Sequence, residues 1–169
     1  MKKALVILMV LGLCFSAMAM ILTQDDIKTY PACKYCGMDR AKFAHSRVLL
    51  TYDDGTTIGT CSLHCAAVDL ALNIDKTPKS IQVGDFQTKA LIDAEKASWV
   101  IGGKKMGVMT RNAKWAFATH EAASNFAKEN GGEITVYDKV VKASYEDMYA
   151  DTKMIREKRT MAKKTEHKH

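Results

Sequence analysis

The chain has 169 residues, with 25 Lys and Arg against 19 Asp and Glu, a formal net charge of +6, five Cys and ten Met. The charge is unevenly placed: between Met20 and Asp138 fourteen basic residues balance fourteen acidic ones, whereas from Lys139 onward nine face five. A neutral body argues against a nucleic-acid binder, which carries its basic patch on the folded face. The length suits one compact domain or two small interlocked halves.

In chain order, residues 1–19 read as a signal peptide. Lys2 and Lys3 form a charged start, residues 4–15 an apolar core, and Ala17-Met18-Ala19 a cleavage pattern that leaves Met20 as the new N-terminus. The apolar run falls short of the roughly 20 residues that span a bilayer. Leu13 stands where a lipidation signal needs a small residue, which argues against Cys14 as a lipid anchor. The expectation is export to the periplasm without membrane anchoring.

Cys33-Lys34-Tyr35-Cys36-Gly37-Met38 follows as a turn that points two sulfurs at one centre, with Gly37 free to take a positive φ. Residues 47–52 read as a strand, Asp53-Asp54-Gly55 as a tight turn and 56–60 as the return strand, since Asp-Gly between two such runs is a strong hairpin signal. A helix is expected over 61–73, with Leu63, Ala67, Leu70 and Ile74 at helical spacing. Pro78 blocks its continuation, and 80–83 reads as a short strand. The pattern then repeats: a strand over 97–101 ending at Gly102-Gly103, a second over 112–118, a helix with Thr119 as N-cap and Gly131-Gly132 as its stop, and a last strand over 133–136. Both halves, about 31–84 and 97–138, therefore read ββαβ, which makes residues 20–138 an α+β domain of two ββαβ units packed together. Residues 139–169 read as a C-terminal helix bearing Val140, Val141, Tyr145, Met148 and Tyr149, decaying after Arg156 into a basic Lys/His tail. Met154, Met161, His167 and His169 offer ligands there, but a charged terminal segment without apolar periodicity reads as a solvated tail.

Four cysteines survive cleavage, Cys33, Cys36, Cys61 and Cys65. An even number in an exported protein first suggests disulfides, yet two tight pairs in one third of the chain staple nothing distant. Positions 61, 64 and 65 would share one face near a helix start, so Cys61, His64 and Cys65 form a second candidate metal cluster, with thiol pKa values lowered by the helix N-terminus. CxxC followed by CxxxC is a fairly specific metal signal. Four chemistries fit it: a closed Cys₄ zinc site, a Cu(I) site of two or three soft ligands, two local disulfides, or a CxxC redox site. The last lacks a thioredoxin-like βαβ setting. Methionine tilts the choice toward Cu(I), because thioethers need no deprotonation and form no disulfides. Met38 adjoins the first pair, and Met106 and Met109 sit in a glycine-containing loop with no packing reason to be methionine-rich.

Several stretches together resemble the NosL family of nitrous-oxide reductase accessory proteins. They are the Cys33–Met38 motif, Trp99-Val-Ile-Gly-Gly, Gly107-Val-Met109-Thr, Lys114-Trp115-Ala-Phe117-Ala and Ala127-Lys-Glu-Asn-Gly131-Gly132, spread over roughly residues 31–140. The resemblance implies an exported, non-catalytic copper(I) chaperone of two ββαβ units, a fold shared with organomercurial lyase. It implies soft ligands at Cys33, Cys36, Met38 and Met109, and an apo-cuproenzyme client such as nitrous-oxide reductase. The Cys61, His64 and Cys65 cluster is additional to that motif and resembles half of a TRASH-type heavy-metal module. A sequestering protein with a Cys₄ zinc site, and an organomercurial-lyase-like enzyme with Asp39 as proton donor, are the alternatives carried forward.

Overall fold

Turn chemistry sets up the first sheet. The structure, a computed structural model, describes residues 25–166; the expected signal peptide, Cys14, His167 and His169 lie outside the described residues. After a short helix α1 (Asp25–Thr29), strands β1 (Val48–Tyr52) and β2 (Thr57–Thr60) pair antiparallel with Val48 opposite Thr60. Gly55 closes their turn at φ 83°, a conformation that glycine adopts without steric cost. Val48, Leu50 and Tyr52 alternate inward along β1, as a half-buried strand requires. Helix α2 (Leu63–Leu72) leads to β3 (Pro78–Gly84), which pairs with β1, and β4 (Leu91–Asp93) extends the sheet to the order β2-β1-β3-β4.

The second half repeats the plan. Strands β5 (Ser98–Ile101) and β6 (Lys114–Phe117), helix α3 (His120–Asn130) and β7 (Glu133–Thr135) give a sheet of order β6-β5-β7. Thr119 caps α3 by accepting from the Ala122 N–H, and Gly131 ends it at φ 75°. The protein is thus α+β with two ββαβ units, as the sequence pattern indicates, with β4 as an added edge strand. At the join, the Phe86 N–H donates to the Ala116 carbonyl, and the buried Asp85 carboxylate accepts from the Ala118 N–H at 2.8 Å.

Sheet alternation divides the interior in two. Trp99 and Ala116 face a core built with Val48, Leu50, Tyr52 and Val140. Their neighbours Val100, Trp115 and Phe117 face a second core that contains Cys33, Cys61 and Cys65. Every residue of β6 is therefore buried.

The C-terminal segment departs most from expectation. Instead of decaying after Arg156, helix α4 (Tyr137–Glu166) runs for 30 residues and packs on α2 and β5. Its inward stripe is Val140, Ser144, Asp151 and Met154, at helical spacing. Two of those four are polar, and Asp147 on the same side pairs with Lys114 at 2.7 Å. Beyond Arg156 the helix is exposed along its length, so its continuation offers no apolar periodicity to read. Ile74, expected on the buried face of α2, lies beyond the helix end and is 87% exposed.

Candidate metal centre

The first two thiols are presented by a tight knuckle. The Cys33 N–H donates to the Met38 carbonyl and the Gly37 N–H to the Cys33 carbonyl, both at 2.9 Å, and Gly37 takes φ 74°. The Lys34 N–H donates to the Gly59 carbonyl at 3.1 Å, which docks the knuckle on β2. The end of β2 is fixed from the other side: the fully buried Arg40 guanidinium donates to the Thr60 carbonyl, and the Ser46 hydroxyl to the Cys61 carbonyl. Cys61 and Cys65 are thereby delivered to the sulfurs of the knuckle.

All four sulfurs, of Cys33, Cys36, Cys61 and Cys65, lie within 4.8 Å of one another. Cys36 and Cys61 are 3.4 Å apart and Cys61 and Cys65 3.8 Å, and all four thiols are free. A tetrahedral thiolate site with metal–sulfur bonds of 2.3 Å places its sulfurs about 3.8 Å apart. The spacing and the soft donor set both fit a thiophilic ion. Cys33, Cys61 and Cys65 are buried, whereas Cys36 is half-buried.

The sequence left open whether the two cysteine pairs form one site or two; the structure brings them into one group and leaves His64 out of it. Helix α2 begins at Leu63, so Cys61 precedes the helix rather than sharing a face with His64. His64 turns toward α4, where its Nδ1 lies 3.4 Å from Asp151 Oδ2, within ion-pair range but without hydrogen-bond geometry. Burial lowers the His64 pKa, against the opposing pull of Asp151.

Charge within the thiol group is unequally shared. Hydrogen bonds from Cys36, Cys61 and Cys65 hold Cys33 well below the ordinary thiol value. The thiol of Cys36 is lowered to about 7: Cys33 raises it, and the contacts from Cys61 and Cys65 outweigh that effect. Contacts with Cys33 and Cys36, together with burial, raise Cys61 and Cys65. The lowering expected from the helix N-terminus is overridden, because like charges crowded at one site ionise one after another.

A further residue that sequence reasoning missed is Asp69. It is wholly buried on α2 and accepts hydrogen bonds from the Tyr35 hydroxyl and, at 2.5 Å, from the Tyr52 hydroxyl, with Lys34 Nζ at 3.4 Å. Burial and this carboxylate raise both tyrosine pKa values, so the hydroxyls stay protonated as donors. The signal was present as an Asp inside an otherwise apolar helix, which implies a buried partner.

Met38 and Met109 lie beside the group, on the wall of a cleft of about 800 Å³ into which Cys36 opens. Met109 takes φ 61°, a left-handed conformation uncommon for a side chain of its size. Its loop is tied at both ends, by the Lys104 N–H to the Asn130 carbonyl and by the Arg111 N–H to Asp151 Oδ1. Met106 and Met154 line the same cleft. The carboxylate of Asp39 is exposed and occupied as a turn cap, accepting from the Ala41 and Lys42 N–H groups.

Fold and site together define a small α+β protein that holds a cluster of four cysteines able to bind a metal ion. The NosL family model matches residues 24–145, and the chain belongs to the NosL family. Among solved structures, the copper chaperone NosL from Shewanella denitrificans is similar, with a TM-score of 0.51 at 21% identity over 63% of this chain and 87% of that one. At that identity the likeness is one of fold, and the protein named there is a copper chaperone. No curated protein matches.

Proposed function

We propose that the protein is an exported carrier of Cu(I) that holds its cargo in the four-thiol group and passes it by ligand exchange to a periplasmic cuproenzyme, with nitrous-oxide reductase as the first candidate client. One observation carries this reading: the sulfur group is sealed on three thiols and open on the fourth, where Cys36 meets a cleft walled by Met38 and Met109. Thiolates supply affinity for a soft ion, and neutral thioethers at the exit take it up and release it without proton exchange. The role needs no catalytic group, and Asp39, the one acid considered for carbon–mercury cleavage, is engaged in holding its own turn.

The sulfur spacing also favours a second reading, a structural Cys₄ zinc site. A closed structural site has no use for a half-buried thiol at the head of a methionine-lined cleft. Anaerobic titration with Cu(I) against a chromophoric chelator separates the two. One tightly held equivalent that displaces zinc supports the carrier, whereas stoichiometric zinc that resists Cu(I) supports the structural site.

A further inference from the structure

The cleft above Cys36 has a composition that does not suit a bare cation. Its thioethers are neutral, and its Lys and Arg lining is basic throughout: Lys104, Lys105, Arg111, Lys158 and Arg159. No acidic side chain lines it. Among the described residues none of the five cations is in an ion pair; Lys105 lies over the Phe86 ring, and the Arg159 guanidinium donates to the Cys36 carbonyl at 3.2 Å. A free metal ion approaching this mouth is repelled. An ion presented on an anionic carrier is attracted, because a concave wall of one sign focuses the field on what enters.

One wall is a feature of this chain beyond the family match. Met154, Ile155, Lys158 and Arg159 belong to the part of α4 that follows residue 145, where the NosL match ends. That stretch brings a buried thioether, Met154, and two of the five cations to the mouth of the site. Opposite it, Met106 is 80% exposed on the loop between β5 and β6. The volume falls in the range of about 300–1,000 Å³ typical of ligand sites. The shape matters too: a recessed cleft takes an inserted loop, whereas a membrane surface needs a flat or protruding basic face.

We infer that this cleft is the docking surface for an acidic segment of a protein partner that carries its own sulfur ligand and exchanges the metal through Cys36. The inference rests on the carrier reading above. Charge complementarity brings the partner in and sets the approach, while the apolar and thioether floor holds the inserted sulfur beside the cargo. The metal moves between sulfur ligands with no change of oxidation state, and the thiol it leaves regains a proton.

The probe is a short acetylated peptide in which Asp and Glu flank a pair of Met, compared with its Asn/Gln isostere. With methyl-labelled methionines, the acidic peptide is expected to shift the Met106 and Met154 signals, to lose that effect in high salt, and to outcompete the isostere. In Lys104→Glu/Lys158→Glu, Cu(I) exchange with the acidic peptide is expected to slow about tenfold while chelator-measured affinity holds. Equal behaviour of the two peptides overturns the inference. So does a charge preference seen only with a small anionic chelator, or binding to phosphatidylglycerol vesicles without binding to the peptide. Loss of Cu(I) affinity in the unmodified protein would instead defeat the carrier reading itself.

Discussion

The Tyr35 hydroxyl donates to the buried carboxylate of Asp69, and this contact joins the two halves of the thiol group. Tyr35 lies between Cys33 and Cys36 in the knuckle, and Asp69 lies one helical turn past Cys65 on α2, so the carboxylate holds the two cysteine-bearing elements in register. The Tyr52 hydroxyl, from β1, completes the same carboxylate.

Replacement of Asp69 by Asn leaves one acceptor and turns an amide N–H₂ toward a tyrosine donor. We expect a loss of about 1.5–3 kcal/mol, the range for a hydrogen bond to a charged group, measured by urea unfolding. Cu(I) affinity should fall as well, because the knuckle loses its alignment with Cys65. Unchanged stability would show that the tyrosines find equivalent partners elsewhere.

Each single Cys→Ser change at positions 33, 36, 61 and 65 is expected to weaken Cu(I) binding, because the four sulfurs form one group. His64→Gln should leave stoichiometry intact, since His64 faces Asp151 rather than the thiols. Wild-type affinity in both Cys61→Ser and Cys65→Ser would restore the two-cluster division that the sequence left open.

Much of the fold was legible before the structure, and the parts that were not share one cause. The Asp-Gly turn, the Thr119 cap and the Gly131 stop are local signals, and each lies where the sequence indicates. Convergence of Cys33 and Cys36 with Cys61 and Cys65 is tertiary: it depends on Lys34 docking on Gly59 and on Arg40 holding Thr60, contacts that no spacing rule contains. The length of α4 was hidden because its continuation beyond Arg156 is exposed and charged, with no buried face for a pattern search to find. The three-residue strand β4 has too few positions for alternation to register.

Met109→Leu keeps the apolar bulk and removes the sulfur. Stability should change by less than about 1.5 kcal/mol, as for other volume-conserving swaps. Cu(I) should be held less tightly, with a smaller loss than in any of the cysteine variants. Identical affinity and exchange rate would exclude a role for this thioether in handling the cargo.

His45 packs against the rings of Phe43, Phe86 and Trp115, and burial, with Lys89 adding to it, lowers its pKa below the usual 6.5. The folded state therefore holds this proton less tightly than the unfolded chain, so protonation favours unfolding. Its contribution is complete above pH about 6.5, erodes as pH falls below that value and levels off below the folded-state pKa. His64, also lowered, acts in the same direction, so the comparison of wild type with His45→Phe isolates His45. Urea midpoints should decline less steeply with acid in the variant; equal slopes would contradict the assignment.

Copper-edge X-ray absorption of protein loaded anaerobically with one equivalent of Cu(I), with metal analysis of the same sample, bears most directly on the central claim. We expect one copper per chain, monovalent and surrounded by sulfur alone, with any zinc from purification displaced. Stoichiometric zinc retained against Cu(I), or copper bound through nitrogen, would contradict the four-thiol carrier.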